Sequence, residues 1–324
     1  NGTMTVIIFA TRFRKVKRTA DENAQTDRLP PMHQVLLFYK YVTIEDPKAV
    51  MDSVRALAKE HNLLGRVLVA EEGINGTLEG LTADTEAFAL ELVKEPRFAD
   101  MNIKRSEGTG TSFTKLYVKV RDEIVGTRFP KNVDPRVRTA PHLPAETLRE
   151  WYEKGEDFVV VDMRNDYEYQ SGHFKNSVNP GMENSRDLPK VMPVLEPLKS
   201  KKVVTVCTGG VRCEKMSAFL LEHGFEDVYQ LENGMHTYME KYPGKDFLGT
   251  LYTFDKRLTM DFGGDREVVG RCKLCGDSTE KYVNCANNDC HLHFLACESC
   301  QKEDGTFCSV ACTEHVAAHT PSHA

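Results

Sequence analysis

The chain runs to 324 residues, 40% hydrophobic and 28% charged, which fits two or three folded domains and excludes a fibre or a fully disordered chain. Its 42 Lys and Arg against 48 Asp and Glu leave a net charge of −6, so a uniformly basic nucleic-acid coat is excluded while a local basic face is not. The longest apolar runs, such as residues 203–207, fall far short of the roughly 20 residues a membrane helix needs, and no membrane partner is expected.

Residues 1–31 show no periodicity and end in Leu29-Pro30-Pro31; they read as a leader or disordered segment, with Met32 as the natural start. Their apolar stretch precedes Arg12, Arg14 and Lys15 instead of following them, the wrong order for a secretory signal. A cytoplasmic chain with reduced thiols is the expectation. From residue 34 the pattern becomes regular. A β-rich run at 35–39 precedes a helix that Pro47 opens and Val50, Val54, Leu57 and Ala58 continue. A strand at 66–70 leads to Gly73, Asn75, Gly76 and Gly80, read as a tight hairpin turn and short strand. A helix over 82–94 and strands near 102–105 and 115–120 complete a β-α-β-β-α-β order, the split βαβ or ferredoxin-like arrangement, over residues 32–121.

Residues 122–143, with Pro130, Pro135 and Pro141, read as a linker. Residues 144–243 read as a doubly wound α/β domain. A helix over 145–152 precedes the apolar strand FVVVD at 158–162, and 203–206 repeats that mark of a buried parallel sheet. A crossover helix over 215–223 and a strand over 228–231 follow. Residues 244–324 form a cysteine-rich C-terminal region.

The run CTGGVRCEK places Cys207 where a parallel strand ends and a helix is about to begin, the position at which open α/β sheets bind ligands. Gly209 and Gly210 allow the N–H groups of Thr208, Gly209, Gly210 and Val211 to turn inward as an anion nest. The helix end and Arg212 add positive charge, so Cys207 is expected to be a thiolate nucleophile with the surrounding loop as its substrate cradle. The opposing reading is a small core cysteine before an ordinary glycine turn.

The tail has the spacing Cys272-x2-Cys275-x9-Cys285-x4-Cys290-x6-Cys297-x2-Cys300-x7-Cys308-x3-Cys312. Eight thiols suit two four-cysteine zinc sites, and so short a segment needs a metal in place of a core. An interleaved assignment joins Cys272, Cys275, Cys297 and Cys300, leaving Cys285, Cys290, Cys308 and Cys312. A sequential assignment joins the first four and the last four. His291, His293 and His315 read as surface or supporting residues.

Between Lys104 and Arg138 nine Lys or Arg face four Asp or Glu, with Phe113, Tyr117 and Phe129 interleaved. Lys115, Lys119, Arg121 and Arg128 are the candidate phosphate contacts. Composition alone suits a solvated strand face equally well.

Asp162-Met163-Arg164, Glu168, Gly172-His173-Phe174 and CTGGVRCEK together resemble a rhodanese domain, whose loop from cysteine to arginine also has six residues. YKYVTIEDP (39–47), GRVLVAEEGINGTLEG (65–80), that loop and the cysteine-rich tail, in this order, are similar to the tRNA uridine hydroxylase family. The resemblance implies oxygen-dependent conversion of the wobble uridine of tRNA to 5-hydroxyuridine. It places the active-site cysteine on Cys207 and a second loop cysteine on Cys213. Tipped by the resemblance, the basic stretch is expected to hold tRNA. No nicotinamide or flavin fingerprint is evident, so no organic cofactor is expected. The expected route is addition of the Cys207 thiolate to carbon 6 of uracil, with Arg212 and the loop N–H groups stabilising the enolate. The competing activity is sulfur transfer through a Cys207 persulfide.

Overall fold

The structure is a computed structural model and describes residues 32–130 and 133–319; the segment expected as a leader, and Lys131 of the basic stretch, lie outside the described residues. The first part builds β1 (His33–Tyr41), α1 (Pro47–Glu60), β2 (Leu64–Ala70), β3 (Gly73–Leu81), α2 (Thr82–Leu92), β4 (Ile103–Glu107) and β5 (Leu116–Val120). Helix α1 starts where the sequence signals it: Asp46 accepts a hydrogen bond from the Ala49 N–H at 2.9 Å, and Pro47 follows at the first turn. The sheet order is β4-β1-β3-β2-β5, the ferredoxin-like arrangement with a fifth strand added parallel to β2.

Alternation along the strands decides which face is covered. Leu36, Phe38, Val67, Val69, Ile74 and Leu78 pack against Val50, Val54 and Ala58 of α1 and Phe88 and Leu92 of α2. The opposite face carries Leu37, Tyr39, Arg66, Leu68, Asn75 and Thr77 in register, with Lys104 beside Leu37 at one side and Tyr117 and Lys119 beside Arg66 and Leu68 at the other. One expectation fails here. Residues 73–76 are not a hairpin turn but the start of β3; the turn is Glu71-Glu72, because Ala70 pairs with Gly73. Gly76 lies flat so that the Phe38 ring can cross it, and a Cβ there would stand 2.4 Å from that ring.

The described part of residues 122–141 has no helix or strand, yet Ile124, Val125, Val133 and Ala140 are buried. Then follow β6 (His142–Leu143), α3 (Ala145–Lys154), β7 (Val159–Asp162), α4 (Asp166–Ser171), β8 (Gly172–Phe174), α5 (Leu188–Leu195), β9 (Lys202–Val206), α6 (Val211–Glu222), β10 (Asp227–Leu231) and α7 (Gly234–Lys241). Strands β6-β10-β9-β7 form an all-parallel sheet. Its faces are covered by α5 and α6 on one side and by α3 and α7 on the other. Helix α6 begins at Val211, four residues before the expected start at 215. Gly210, with φ of +102°, turns the chain directly into the helix, so Arg212 and Cys213 lie in its first turn.

Short antiparallel pairs finish the chain: β11 (Phe247–Gly249) on β8, β12 (Leu251–Tyr252) with β13 (Thr259–Met260), and β14 (Tyr282–Asn284) with β15 (His293–Leu295). Helix α8 (Val310–His319) ends the described residues.

Candidate active site

Cys207 ends β9 and is fully buried. The Gly210 N–H donates to its Sγ at 3.2 Å, so the glycine turn does aim a backbone donor at the sulfur. Helix α7 clamps the loop from behind: the Met235 and His236 N–H groups donate to the Cys207 and Thr208 carbonyls at 2.9 and 3.0 Å. Gly234 makes this approach possible, since a Cβ there would stand 2.6 Å from the Gly210 nitrogen.

Burial pushes the Cys207 thiol up, but the hydrogen bond from Cys213, the Arg212 charge and the N–H groups of the first helical turn outweigh it. The result is a thiol pulled down to about 6, a thiolate at neutral pH. Cys213, also fully buried, is pushed well above the usual thiol range, first by burial and then by its bond to Cys207. It stays protonated. Arg212 departs from expectation. Its two terminal nitrogens grip the buried Glu168 carboxylate at 2.5 and 2.8 Å, and one also donates to the Thr208 hydroxyl at 3.2 Å. It therefore ties the loop to α4. Asp162 and Arg164 repeat the device beneath, as a fully buried ion pair at 2.7 Å.

Cys207 is among the residues lining a cavity of about 310 Å³, the small end of the roughly 300–1,000 Å³ typical of ligand sites. One wall is the helix-free face of the first sheet, with Tyr39, Arg66, Asn75 and Thr77; the other is the Cys207–Arg212 loop, with Phe254 closing an edge. Polar ties hold the walls together. The Tyr39 hydroxyl donates to Glu214 and the Tyr41 hydroxyl to the Val211 carbonyl, both at 3.2 Å. The buried Lys215 ammonium bridges Glu72 at 2.8 Å and Glu123 at 2.9 Å. These wall residues escaped the sequence reading, although Arg66/Leu68 and Asn75/Thr77 alternate with core residues and mark a second used face.

The candidate RNA contacts separate into two groups. The Lys115 and Lys119 ammonium groups stand over the Tyr117 ring, 4.7 and 4.3 Å from its centre, on the same face as the cavity wall. Arg121 and Arg128 instead border a second cavity of about 610 Å³ that also contains Glu71, Glu72, Asp122, Glu123 and Asp134. Phe129 packs against Phe219 with tilted rings, 4.5 Å between ring centres, and lies against the core.

In the tail the thiols gather in the interleaved way. Cys272, Cys275, Cys297 and Cys300 form one cluster and Cys285, Cys290, Cys308 and Cys312 the other, with all ligand atoms of a cluster within 4.8 Å of each other. Sulfur separations of 3.5–3.6 Å suit the edges of a tetrahedron with metal–sulfur bonds of about 2.3 Å. The histidines stand outside both clusters: His293 stacks on Tyr282 and His315 approaches Asp289.

Three family models match this chain: the UPF0176 acylphosphatase like domain over residues 33–124, the rhodanese-like domain over 144–241 and the rhodanase C-terminal over 248–313. A tRNA uridine(34) hydroxylase from Cytophaga hutchinsonii is 41% identical across 87% of this chain and 90% of its own. The chain belongs to the tRNA uridine(34) hydroxylase family. Members from Staphylococcus carnosus and Staphylococcus aureus are 41% and 40% identical over the same shares. Among solved structures, a rhodanese-like domain from Anabaena sp. is 22% identical at a TM-score of 0.30, covering 40% of this chain and 92% of that one. In this tRNA uridine(34) hydroxylase family member, the cavity takes residues from all three matched segments.

Proposed function

We propose that this chain hydroxylates the wobble uridine, uridine 34, of tRNA to 5-hydroxyuridine, with molecular oxygen as oxidant and Cys207 as nucleophile. The observation that carries the reading is Cys207, its thiol drawn down to about 6, among the residues lining a cavity large enough for a base, in a chain of this family. In the proposed route the Cys207 thiolate forms a bond to carbon 6 of uracil. The displaced π electrons pass to the carbon 4 oxygen as an enolate, which makes carbon 5 reactive toward oxygen. One oxygen atom ends as the carbon 5 hydroxyl and the other as water, with two electrons and two protons from an external reductant; loss of the carbon 5 proton then expels the Cys207 thiolate from carbon 6 and restores the 5,6 double bond. Asn75, Thr77 and Arg66 offer the polar contacts to the base, and Arg212 acts through the loop it holds to Glu168. Cys213, as the protonated partner of Cys207, supports the thiolate.

The anticodon loop would reach the cavity along the sheet face, with a base on Tyr117 and phosphates on Lys115 and Lys119. Arg121 and Arg128, among acidic neighbours, are weaker candidates. The two cysteine clusters are read as structural zinc sites, since closed four-thiolate sets leave no open position for chemistry. Reduced thiols of this kind fit the cytoplasm, and no described helix is long and apolar enough to cross a membrane.

Nucleoside analysis of tRNA from cells carrying, lacking or complemented for the gene tests the reading. Loss of wobble 5-hydroxyuridine is expected. Loss of a thiolated nucleoside instead selects the sulfur-transfer activity. A 5-fluorouridine wobble base should trap an adduct on Cys207, and a trap that does not depend on Cys207 would refute the covalent route.

A further inference from the structure

One buried cation beside the loop has no part in the scheme above. Lys104 on β4 is only 5% exposed, and its ammonium has no hydrogen-bond partner among the described residues. An isolated buried charge is costly, so such a group either gives up its charge or keeps it beside an opposite one. The sheet register shows where Lys104 has been brought. It pairs with Leu37, two residues from Tyr39 on the same face. Leu37 stands against Gly209, where an added Cβ would meet its side chain at 2.9 Å, and the Tyr39 hydroxyl stands against Gly210 at 2.7 Å by the same measure. The Lys104 ammonium lies 5.5 Å above the Tyr39 ring centre. It therefore lies on the sheet face whose Leu37 and Tyr39 stand against Gly209 and Gly210 of the Cys207 loop.

The other charged and titratable groups there are already engaged or neutral. Arg212, the cation expected to face Cys207, is tied to Glu168. Glu214 is held by Tyr39, His142 and Gln230. Tyr39 and Tyr41 are kept protonated, chiefly by burial. On α7, burial first and then Lys104 and Arg257 push His236 down to about 4, so it is neutral, while Glu240 is largely exposed. Arg257, against β4, is bound to Asp255. Cys213 remains a thiol.

We propose that Lys104, carried by the N-terminal sheet, adds a second counter-charge to the Arg212 charge and the loop donors that hold Cys207 as a thiolate, so that the rhodanese-type nucleophile is completed by the first domain. Lys104 is then a positioning residue that acts through the sulfur. Burial draws its ammonium down to about 8, and Cys207 followed by Glu240 oppose that fall. The proposal rests on Cys207 being a thiolate, whichever reaction it performs.

The test is the pH profile of iodoacetamide alkylation of the full-length chain, followed on the Cys207 peptide by mass spectrometry because nine other thiols also react. Wild type should inflect near pH 6. Lys104→Met should move the inflection up by about one unit, and Lys104→Arg should restore it. A wild-type inflection at the ordinary thiol value overturns the thiolate reading and the proposal with it. A low wild-type inflection that Lys104→Met leaves in place overturns the proposal alone. Should Lys104→Met not fold, the reciprocal measurement decides. In Cys207→Ser the Lys104 ammonium, followed by nitrogen-15 NMR, should titrate at lower pH than in wild type; an unmoved titration overturns the proposal.

Discussion

Cys207 is ionised because several modest effects converge on one sulfur whose burial opposes them. Replacing it by Ser is nearly isosteric but removes the thiolate, so Cys207→Ser should abolish 5-hydroxyuridine formation while leaving the circular dichroism spectrum and metal content unchanged. The sign of the pH effect follows from the depressed thiol. Its stabilisation is full above the unfolded value of about 8.5 and is lost as pH falls through about 6. Single-turnover rates should hold level above about pH 7 and fall as pH drops through about 6, and a rate independent of pH between 5 and 8 would exclude the thiolate as nucleophile. Arg212 has a different character. Removing it strands the fully buried Glu168 carboxylate, a loss of about 3–5 kcal/mol for such pairs. Arg212→Ala should therefore lower the denaturant midpoint sharply, whereas Arg212→Lys, which keeps the charge but not the two-pronged grip, should lose less. Equal midpoints for Arg212→Ala and wild type would show that the pair does not hold the loop.

At the scale of elements, β5 carries the proposed RNA path. Its Tyr117 lies between two lysines on the face that continues into the cavity wall. Lys115→Ala with Lys119→Ala should weaken tRNA binding at all sequences and reduce the slope of log affinity against log salt by about 2. A change in slope with Arg121→Ala and Arg128→Ala instead would move the RNA path to the second cavity. These elements also show what periodicity can reveal. The strand FVVVD and the helix opened by Pro47 were readable because burial on both faces, or on one stripe, leaves an unbroken hydrophobic signature. The start of α6 was not, because Gly-Gly before a helix looks like the end of a loop until φ at Gly210 is known. Residues 73–76 misled for a related reason: Gly76 serves ring packing on Phe38, not turning.

For the whole molecule, the tail is the part whose eight cysteines gather into two clusters that could each hold a metal ion. Its buried cluster consists mainly of the cysteines themselves, with Phe294 and Ala296. It docks through Tyr282, whose hydroxyl donates to the Tyr167 carbonyl on α4. A strong chelator should release metal, expose eight further thiols to a thiol reagent and free Phe254 from the cavity edge, with loss of activity. Retention of protected thiols after complete metal removal would mean that the clusters fold without it.

The sequence by itself determined the chemistry available: a cysteine at the end of a buried strand, glycines and an arginine after it, and eight thiols at metal-ligand spacing. Those features are local, and their physics needs only a few consecutive residues. What tertiary structure alone decided is which groups meet. Leu37, Tyr39, Asn75 and Lys104 lie more than a hundred residues from Cys207, and sheet register brings their shared face to its loop. Arg212 was legible as a charge, but its partner, Glu168, lies 44 residues away on α4, and only the fold brings the two together. The interleaved grouping of the tail thiols was likewise one of two pairings until the β14–β15 hairpin brought distant knuckles together. Spacing along a chain sets which atoms can react, and packing across it sets which of them do.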